Sequence, residues 1–303
     1  LLNFDFFKMF FEIIKFYNKS NNLKNIEENL TLDDFLKREK MSKYFINYHI
    51  IPMVSAIWSM PPYEAKQMPL KFFLKFFQNH GLFNLKNRPQ WYTIKNRSRT
   101  YVKKILETIS GEYYKNYRIN KISRLSNGVK VYYGGNNEFF DYDKVVIATH
   151  ADEALSLITD PTPEEKSILA NFKYKNNIAI IHTDETLMPK NKKAWSSWNS
   201  SVNKENTSET SITYWLNLLQ NLKTNKNIFL SLNPFLKIDP KKIISKVKFT
   251  HPYYDKEALE NQNRLKNIQN KKNLLFCGSY FGYGFHEDGI KSSLEMIKSF
   301  NDR

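Results

Sequence analysis

From Leu1 to Tyr17 the chain is apolar apart from Asn3, Asp5, Lys8, Glu12 and Lys15, and from Asp5 onward the charges recur every three or four residues. That spacing gathers them on one narrow helical stripe and predicts a mostly buried helix, with a membrane surface as the other place for its wide apolar face. Thr31-Leu32-Asp33-Asp34 has the form of a capping box and opens another helix. Leu70 to Asn79 is aromatic at helical spacing and stops before Gly81. The first third is therefore expected to be helical.

From Tyr117 the period shortens. Arg118 to Ser123, Val129 to Tyr133 and Lys144 to Ala148 read as strands, the second closed by Gly134-Gly135. Thr162-Pro163-Glu164-Glu165 supplies an N-cap, a proline at the first helical position and a returning carboxylate, so a helix begins there. Asn177 to His182, Ala194 to Trp198, Ile212 to Leu216, Ile228 to Leu232 and Lys246 to Phe249 follow as strands, with polar Ser200 to Ser211 as a mobile connection. Strands that succeed one another without helices predict an antiparallel sheet.

The last pattern is apolar Leu274-Leu275-Phe276, then Cys277-Gly278-Ser279-Tyr280-Phe281-Gly282-Tyr283-Gly284-Phe285-His286-Glu287-Asp288-Gly289, then a helical stretch to Phe300. It reads as a buried strand, a turn and an exposed helix start. Four of the nine glycines fall in this window, which points to sharp bending or a close approach that only glycine tolerates. A helix start leaves unpaired N–H groups and a positive dipole end, suited to a phosphate or an electron-rich ring.

Composition narrows the reading. With 303 residues, 41% of them hydrophobic, the chain can bury a substantial core in one large or two interleaved domains. The net charge of +16 invites nucleic acid, but only eight of the 46 basic residues are Arg and the charge is scattered, so no specific nucleic-acid partner is expected. Cys277 is the single cysteine, which excludes an internal disulfide and a zinc cluster. No apolar run reaches the length of a membrane span and no secretory signal is read, so a reducing cytoplasm is expected.

The C-terminal window resembles the cofactor motif of FAD-dependent amine oxidoreductases, especially a bacterial branch ending in similar Gly-Phe-His-Glu-Asp-Gly segments. Ile57-Trp58-Ser59-Met60-Pro61-Pro62, Asn79-His80-Gly81-Leu82, Arg88-Pro89-Gln90-Trp91, Val145 to Asp152, Leu187-Met188-Pro189 and Ala194 to Asn199 resemble that branch in the same order. The family's opening strand, G-x-G-x-x-G and helix have no counterpart, and Leu1 resembles a point well inside the family. The resemblance thus implies a fragment or truncated product; a complete protein that has lost its cofactor is the alternative.

The fold so implied is α/β, an incomplete FAD/NAD(P)-binding Rossmann-like domain interleaved with a helical and antiparallel-sheet substrate domain. The expected pieces are 1–86 (helical, substrate), 87–150 (FAD-binding), 151–270 (antiparallel, substrate) and 271–303 (FAD-binding). By resemblance, FAD is contacted by Gly278, Ser279, Gly284, Phe285, His286, Glu287, Asp288 and Gly289, by Ala148 and Thr149 at a strand end, and by the backbone of Ile122. Helix-start N–H groups near Phe285, His286 and Glu287 would bond the N1/C2 carbonyl edge of the flavin. His182 is the candidate catalytic residue. Trp58, Trp195, Trp198 and Tyr214 are candidate walls of a substrate cavity.

The function implied is hydride transfer from a substrate C–H or C–N bond to flavin N5. A lipid-like small-molecule substrate and a peripheral contact with the inner membrane are further expectations, from the aromatic content and the basic surface. Two other classes stay open: a non-catalytic binding protein or remnant without FAD, and a basic nucleic-acid binder.

Overall fold

The computed structural model describes residues 3–23, 25–135, 138–203, 206 and 209–300. Helices α1 (Phe4–Asn22), α2 (Leu32–Arg38), α3 (Lys43–Phe45), α4 (Ile51–Trp58), α5 (Pro62–Gln67), α6 (Leu70–Asn79) and α7 (Arg99–Glu107) come first. Strands β1 (Ile119–Leu125), β2 (Gly128–Tyr133), β3 (Glu138–Tyr142) and β4 (Val145–Ile147) lead to α8 (Ala151–Leu157) and α9 (Pro163–Leu169). Then come β5 (Lys173–His182), β6 (Trp198–Val202), β7 (Thr210–Trp215), α10 (Leu216–Leu219), β8 (Phe229–Leu232) and β9 (Ile243–Tyr253). The chain ends with α11 (Lys256–Gln262), β10 (Leu274–Phe276) and α12 (His286–Phe300). Helix and sheet are mixed throughout.

The chain divides into two compact units, one of residues 1–107 with 175–251, the other of 108–174 with 252–303. The crossings at 107/108, 174/175 and 251/252 lie well away from the boundaries at 86, 150 and 270 expected from the resemblance. Each unit is built from separated stretches of sequence.

In the first unit, Phe16 on α1 is fully buried, with the rings of Phe45, Phe35, Phe83 and Phe73 at 5.4, 5.8, 6.0 and 6.3 Å. Aromatic clusters of this kind add about 0.5–1.5 kcal/mol per pair beyond the area they bury. Only the second half of α1 finds such partners. Phe4, Phe7 and Phe11 are exposed beside Lys8, Glu12 and Lys15, so the expectation of a mostly buried helix is corrected; Leu1 and Leu2 lie outside the described residues. The narrow polar stripe fixed the helix but not the length of its cover.

Thr31 caps α2 as its sequence requires, accepting from Asp34 N–H at 3.1 Å while the Asp34 carboxylate reaches back to Thr31 N–H at 3.2 Å. The later strands form one sheet in the order β6-β7-β8-β5-β9, with β5, β6, β7 and β8 paired antiparallel. Ser200 and Ser201 belong to β6 and pair with Ile212 and Ser211 of β7, which corrects the mobile connection; residues 204, 205, 207 and 208 lie outside the described ones. Residues 192–194 form a short 3-10 turn rather than the start of a strand.

In the second unit, β1, β2 and β3 form an antiparallel meander, and β4 pairs with β10 in parallel. β3 escaped the sequence reading because Phe139-Phe140 breaks the alternation and acidic residues flank it. Ile122, Ile147, Ala151, Ala154, Ile168, Leu169, Phe172, Leu274 and Phe276 make one core. Across it, Arg124 reaches Glu165 at 2.5 Å with both side chains almost wholly buried, and the same carboxylate closes the capping box of α9 on Thr162 N–H at 2.8 Å.

Candidate cofactor site

The parallel ladder of the second unit sets the geometry. Val145 N–H donates to Asn273 O at 2.9 Å and Cys277 N–H donates to Ile147 O at 3.2 Å, so the Ala148-Thr149 segment and the Gly278 segment leave the same end of the sheet side by side. In open parallel sheets that carboxyl end is where ligands bind. Beside β4 runs a groove of about 330 Å³ lined by Ile119, Ile122, Val131, Tyr142, Lys144, Val145 to Thr149 and Leu157. Ile122 thus shares one groove with Ala148 and Thr149, which lie far from it in sequence. The Ile122 carbonyl already accepts from Thr159 N–H at 3.0 Å and Thr159 Oγ1 at 3.2 Å, so that carbonyl is engaged within the fold.

His150 follows the strand and caps α8 through its backbone N–H, which meets the Glu153 carboxylate at 3.4 Å. Its ring stacks on Tyr174 at 4.2 Å and 12°. Tyr174 Oη in turn accepts from Ala151 N–H at 2.9 Å. Burial holds the Tyr174 phenol well above the usual tyrosine range, so it stays protonated. Nothing in the sequence marked Tyr174; its neighbour is twenty-odd residues away and the stack is tertiary.

The tail uses many of its own polar groups. Gly278 N–H donates to Ser292 Oγ at 2.9 Å, and Ser279 O accepts from Gly282 and Gly284 N–H at 3.1 and 3.2 Å. Gln262 Nε2 holds Tyr280 O and Gly282 O at 2.9 and 2.6 Å. A Cβ at Gly282 would overlap the Asp288 carboxylate, and one at Gly284, where φ is +95°, would stand 2.7 Å from Tyr254 Oη. At Gly278 a Cβ would stand 2.7 Å from the Tyr280 ring, so three of the four glycines answer to the chain's own side chains. At Gly289 the nearest atom is Ser279 N at 3.9 Å, leaving an open approach.

At the start of α12, Phe285 N–H is taken by the Asp288 carboxylate at 2.9 Å, which corrects the expectation that it faces a ligand. Phe285, His286 and Glu287 are exposed, and the Glu287 N–H makes no hydrogen bond to another described residue. The carboxylates of Glu287 and Asp288 sit in the same first turn. They complement the dipole and repel a second anion, so this end suits a neutral carbonyl and not a phosphate. The described residues of the second unit offer a pyrophosphate no glycine cradle, so what this helix start can receive is the carbonyl edge of a neutral ring.

In the first unit, the substrate-wall candidates separate. Trp58 is buried against Phe72 and Phe76, at 5.8 and 4.7 Å, and is core. Trp198 and Tyr214 face each other across β6 and β7 at 5.3 Å, with Tyr214 Oη donating to Ala56 O at 3.3 Å. Trp195 packs at 5.3 Å on Trp215 and 5.6 Å on Phe229, and its Nε1 donates to Pro189 O at 2.8 Å. Because neighbouring strand residues point to opposite faces, Tyr214 and Trp215 divide these tryptophans between the two sides of the sheet. The four do not wall one cavity.

His182 is fully buried in the same sheet. Asp184 N–H donates to its Nδ1 at 3.1 Å, which puts the ring proton on Nε2, and Nε2 donates to Ser231 Oγ at 2.8 Å. Ser231 Oγ lies 2.7 Å from Thr213 Oγ1. Burial lowers the His182 pKa against the opposing pull of Asp184, and no ring nitrogen is left for a substrate. His182 is corrected from a catalytic to a sheet-interior residue. Burial of Asp184 opposes its ionisation, but Asp239 N–H at 3.0 Å, Lys242 Nζ at 3.1 Å and Thr186 outweigh it and hold the carboxyl well below its usual range.

Neither a family model nor a curated protein sequence matches the chain. Among solved structures it is similar to a CLA-producing fatty acid isomerase from P. acnes, with TM-score 0.65 and 11% identity over 97% of this chain and 74% of that one. It is also similar to putrescine oxidase bound to putrescine, with TM-score 0.65 and 8% identity over 100% of this chain and 77% of that one. Cyclohexylamine oxidase from Brevibacterium oxydans IH-35A matches with TM-score 0.61 and 10% identity, over 97% and 75%. No helix among the described residues is long and apolar enough to cross a membrane. At such identities the likeness is one of architecture, and the chain has the fold that this isomerase and these oxidases share.

Proposed function

We propose that the chain is the greater part of an FAD-dependent oxidoreductase of the amine-oxidase type, with the second unit holding the flavin as part of a Rossmann-like domain. The observation that carries this reading is the side-by-side exit of Ala148-Thr149 and the Gly278–Gly289 tail from one end of a parallel strand pair. Glu287 N–H, backed by the positive end of a 15-residue helix, would donate to the carbonyl edge of the ring. That contact favours negative charge on the reduced ring. Ile122, Ala148 and Thr149 would exclude water along the groove beside β4. When bound, FAD supplies the hydride acceptor. The first unit, by this reading, takes a small apolar molecule of lipid-like character.

Visible absorption after incubation of the purified chain with FAD tests the reading: a flavoprotein spectrum that survives gel filtration is expected, and its absence at every FAD concentration overturns it. Glu287→Pro sharpens the test, because proline is tolerated in a first helical turn and removes the N–H, and Glu287→Ala, which removes the carboxylate and keeps the N–H, is its control. Loss of one such bond should weaken FAD binding by roughly tenfold. A peripheral contact with anionic membrane belongs to the same proposal, motivated by exposed Phe4, Phe7 and Phe11 beside Lys8 and Lys15. Failure of the chain to float with anionic vesicles at low salt removes it.

A further inference from the structure

The turn between β10 and α12 is curled by its own main chain, with Ser279 O accepting from Gly282 and Gly284 N–H at 3.1 and 3.2 Å. That leaves the carbonyls of Tyr280 and Gly282 with no main-chain donor among the described residues. One side chain takes both. Gln262, the last residue of α11, gives its two amide hydrogens to Tyr280 O at 2.9 Å and Gly282 O at 2.6 Å.

The other restraints on this turn are steric or lie at its far end. The Tyr280 ring is buried, 5.2 Å from Phe172 and 4.8 Å from Phe281, and its hydroxyl has no partner among the described residues, so it anchors the turn by packing alone. Tyr254, just before α11, fills the space that a side chain at Gly284 would need. Asp288 does the same at Gly282 and also accepts from Phe285 N–H at 2.9 Å. Packing is non-directional and fixes where the segment lies. Hydrogen bonds are directional and fix how its peptide planes are rotated. His286 opens α12 shortly beyond Gly282, so a rotation of these planes is passed to the first amides of the helix.

We propose that Gln262 is a positioning residue for the candidate cofactor site: from α11 it sets the peptide planes of the turn and, through them, the direction of the Glu287 N–H. The aiming of that N–H at a ligand rests on the flavin reading, whereas the setting of the turn does not. Both amide hydrogens of Gln262 are engaged by main chain, so it acts on a ligand only through the turn.

A double-mutant cycle on the purified chain separates this role from simple packing. Gln262→Met keeps the length of the side chain and removes both donors. Titrated with FAD and followed by flavin fluorescence, it should bind roughly tenfold more weakly. In the Glu287→Pro background the same substitution should change the affinity by less than about twofold, because the amide it aims is gone. Gln262→Lys, which returns N–H donors, should bind within about threefold of the unsubstituted chain. Additive losses in the two backgrounds, or no rescue by lysine, would overturn the aiming role.

Amide exchange without FAD decides the turn itself. Gly282 and Gly284 N–H should exchange about tenfold faster in Gln262→Met, while Cys277 N–H, bonded to Ile147 O, stays protected and reports that the unit is folded. Equal exchange in both proteins sinks the proposal whether or not FAD binds. Faster exchange in a chain that takes up no FAD at any concentration removes the flavin reading and leaves Gln262 setting the turn. If Gln262→Met loses the Cys277 protection, Gln262→Glu, of the same shape and without a donor when ionised, takes its place in both arms.

Discussion

The two sheets solve the same problem in opposite ways. The antiparallel sheet of the first unit encloses His182, Ser231, Thr213 and Asp184 and finds every one of them a partner on its own strands or adjoining turns. The parallel pair of the second unit closes one edge with a borrowed side chain, Gln269, which takes Phe276 N–H and O. An antiparallel sheet grows from neighbouring hairpins, so its polar groups are satisfied locally. Parallel strands arrive from distant sequence, here Val145 and Leu274, and depend on segments remote in the chain. The lesson is that the second unit should be the softer of the two.

The largest effect that could break this contrast is expected in the second unit at Arg124. Arg124→Ala leaves the fully buried Glu165 without its cation and should cost about 3–5 kcal/mol in urea unfolding followed by hydrogen exchange in the second unit. Gln269→Ala should cost about 1–3 kcal/mol by exposing Phe276 N–H and O, and the loss should appear as faster exchange in β10 while β7 and β8 are unchanged. Equal loss in both units would show that they unfold as one body. In the first unit, Ser231→Ala strands the His182 Nε2–H and should cost about 1–2 kcal/mol.

A smaller effect separates the units by pH. His49, its ring at 3.1 Å from Tyr17 Oη, has its pKa pushed down to about 4 by burial and by Arg88, and burial lowers that of His182 as well. A depressed histidine pKa means that the unfolded chain takes up the proton first. The stabilisation is complete above the unfolded value of 6.5 and is lost as pH falls toward about 4. The first unit's melting temperature should therefore drop across that window, and His49→Gln should flatten the drop. The smallest change, Thr31→Ala, removes one side of a capping box and should cost about 1 kcal/mol, seen in the first unit alone.

The sequence alone determined what depends on neighbours in the chain. The capping boxes at Thr31 and Thr162, the aromatic helix from Leu70, the run of strands after Asn177 and the strand–turn–helix at the C-terminus were all legible, because period and cap chemistry act within a few residues. Tertiary structure alone decided the rest. Whether the α1 phenylalanines find cover, whether His182 keeps a free nitrogen, and which side of the sheet each tryptophan occupies all depend on what another segment places against them. Burial and hydrogen-bond saturation belong to the packed chain, and no local pattern carries them.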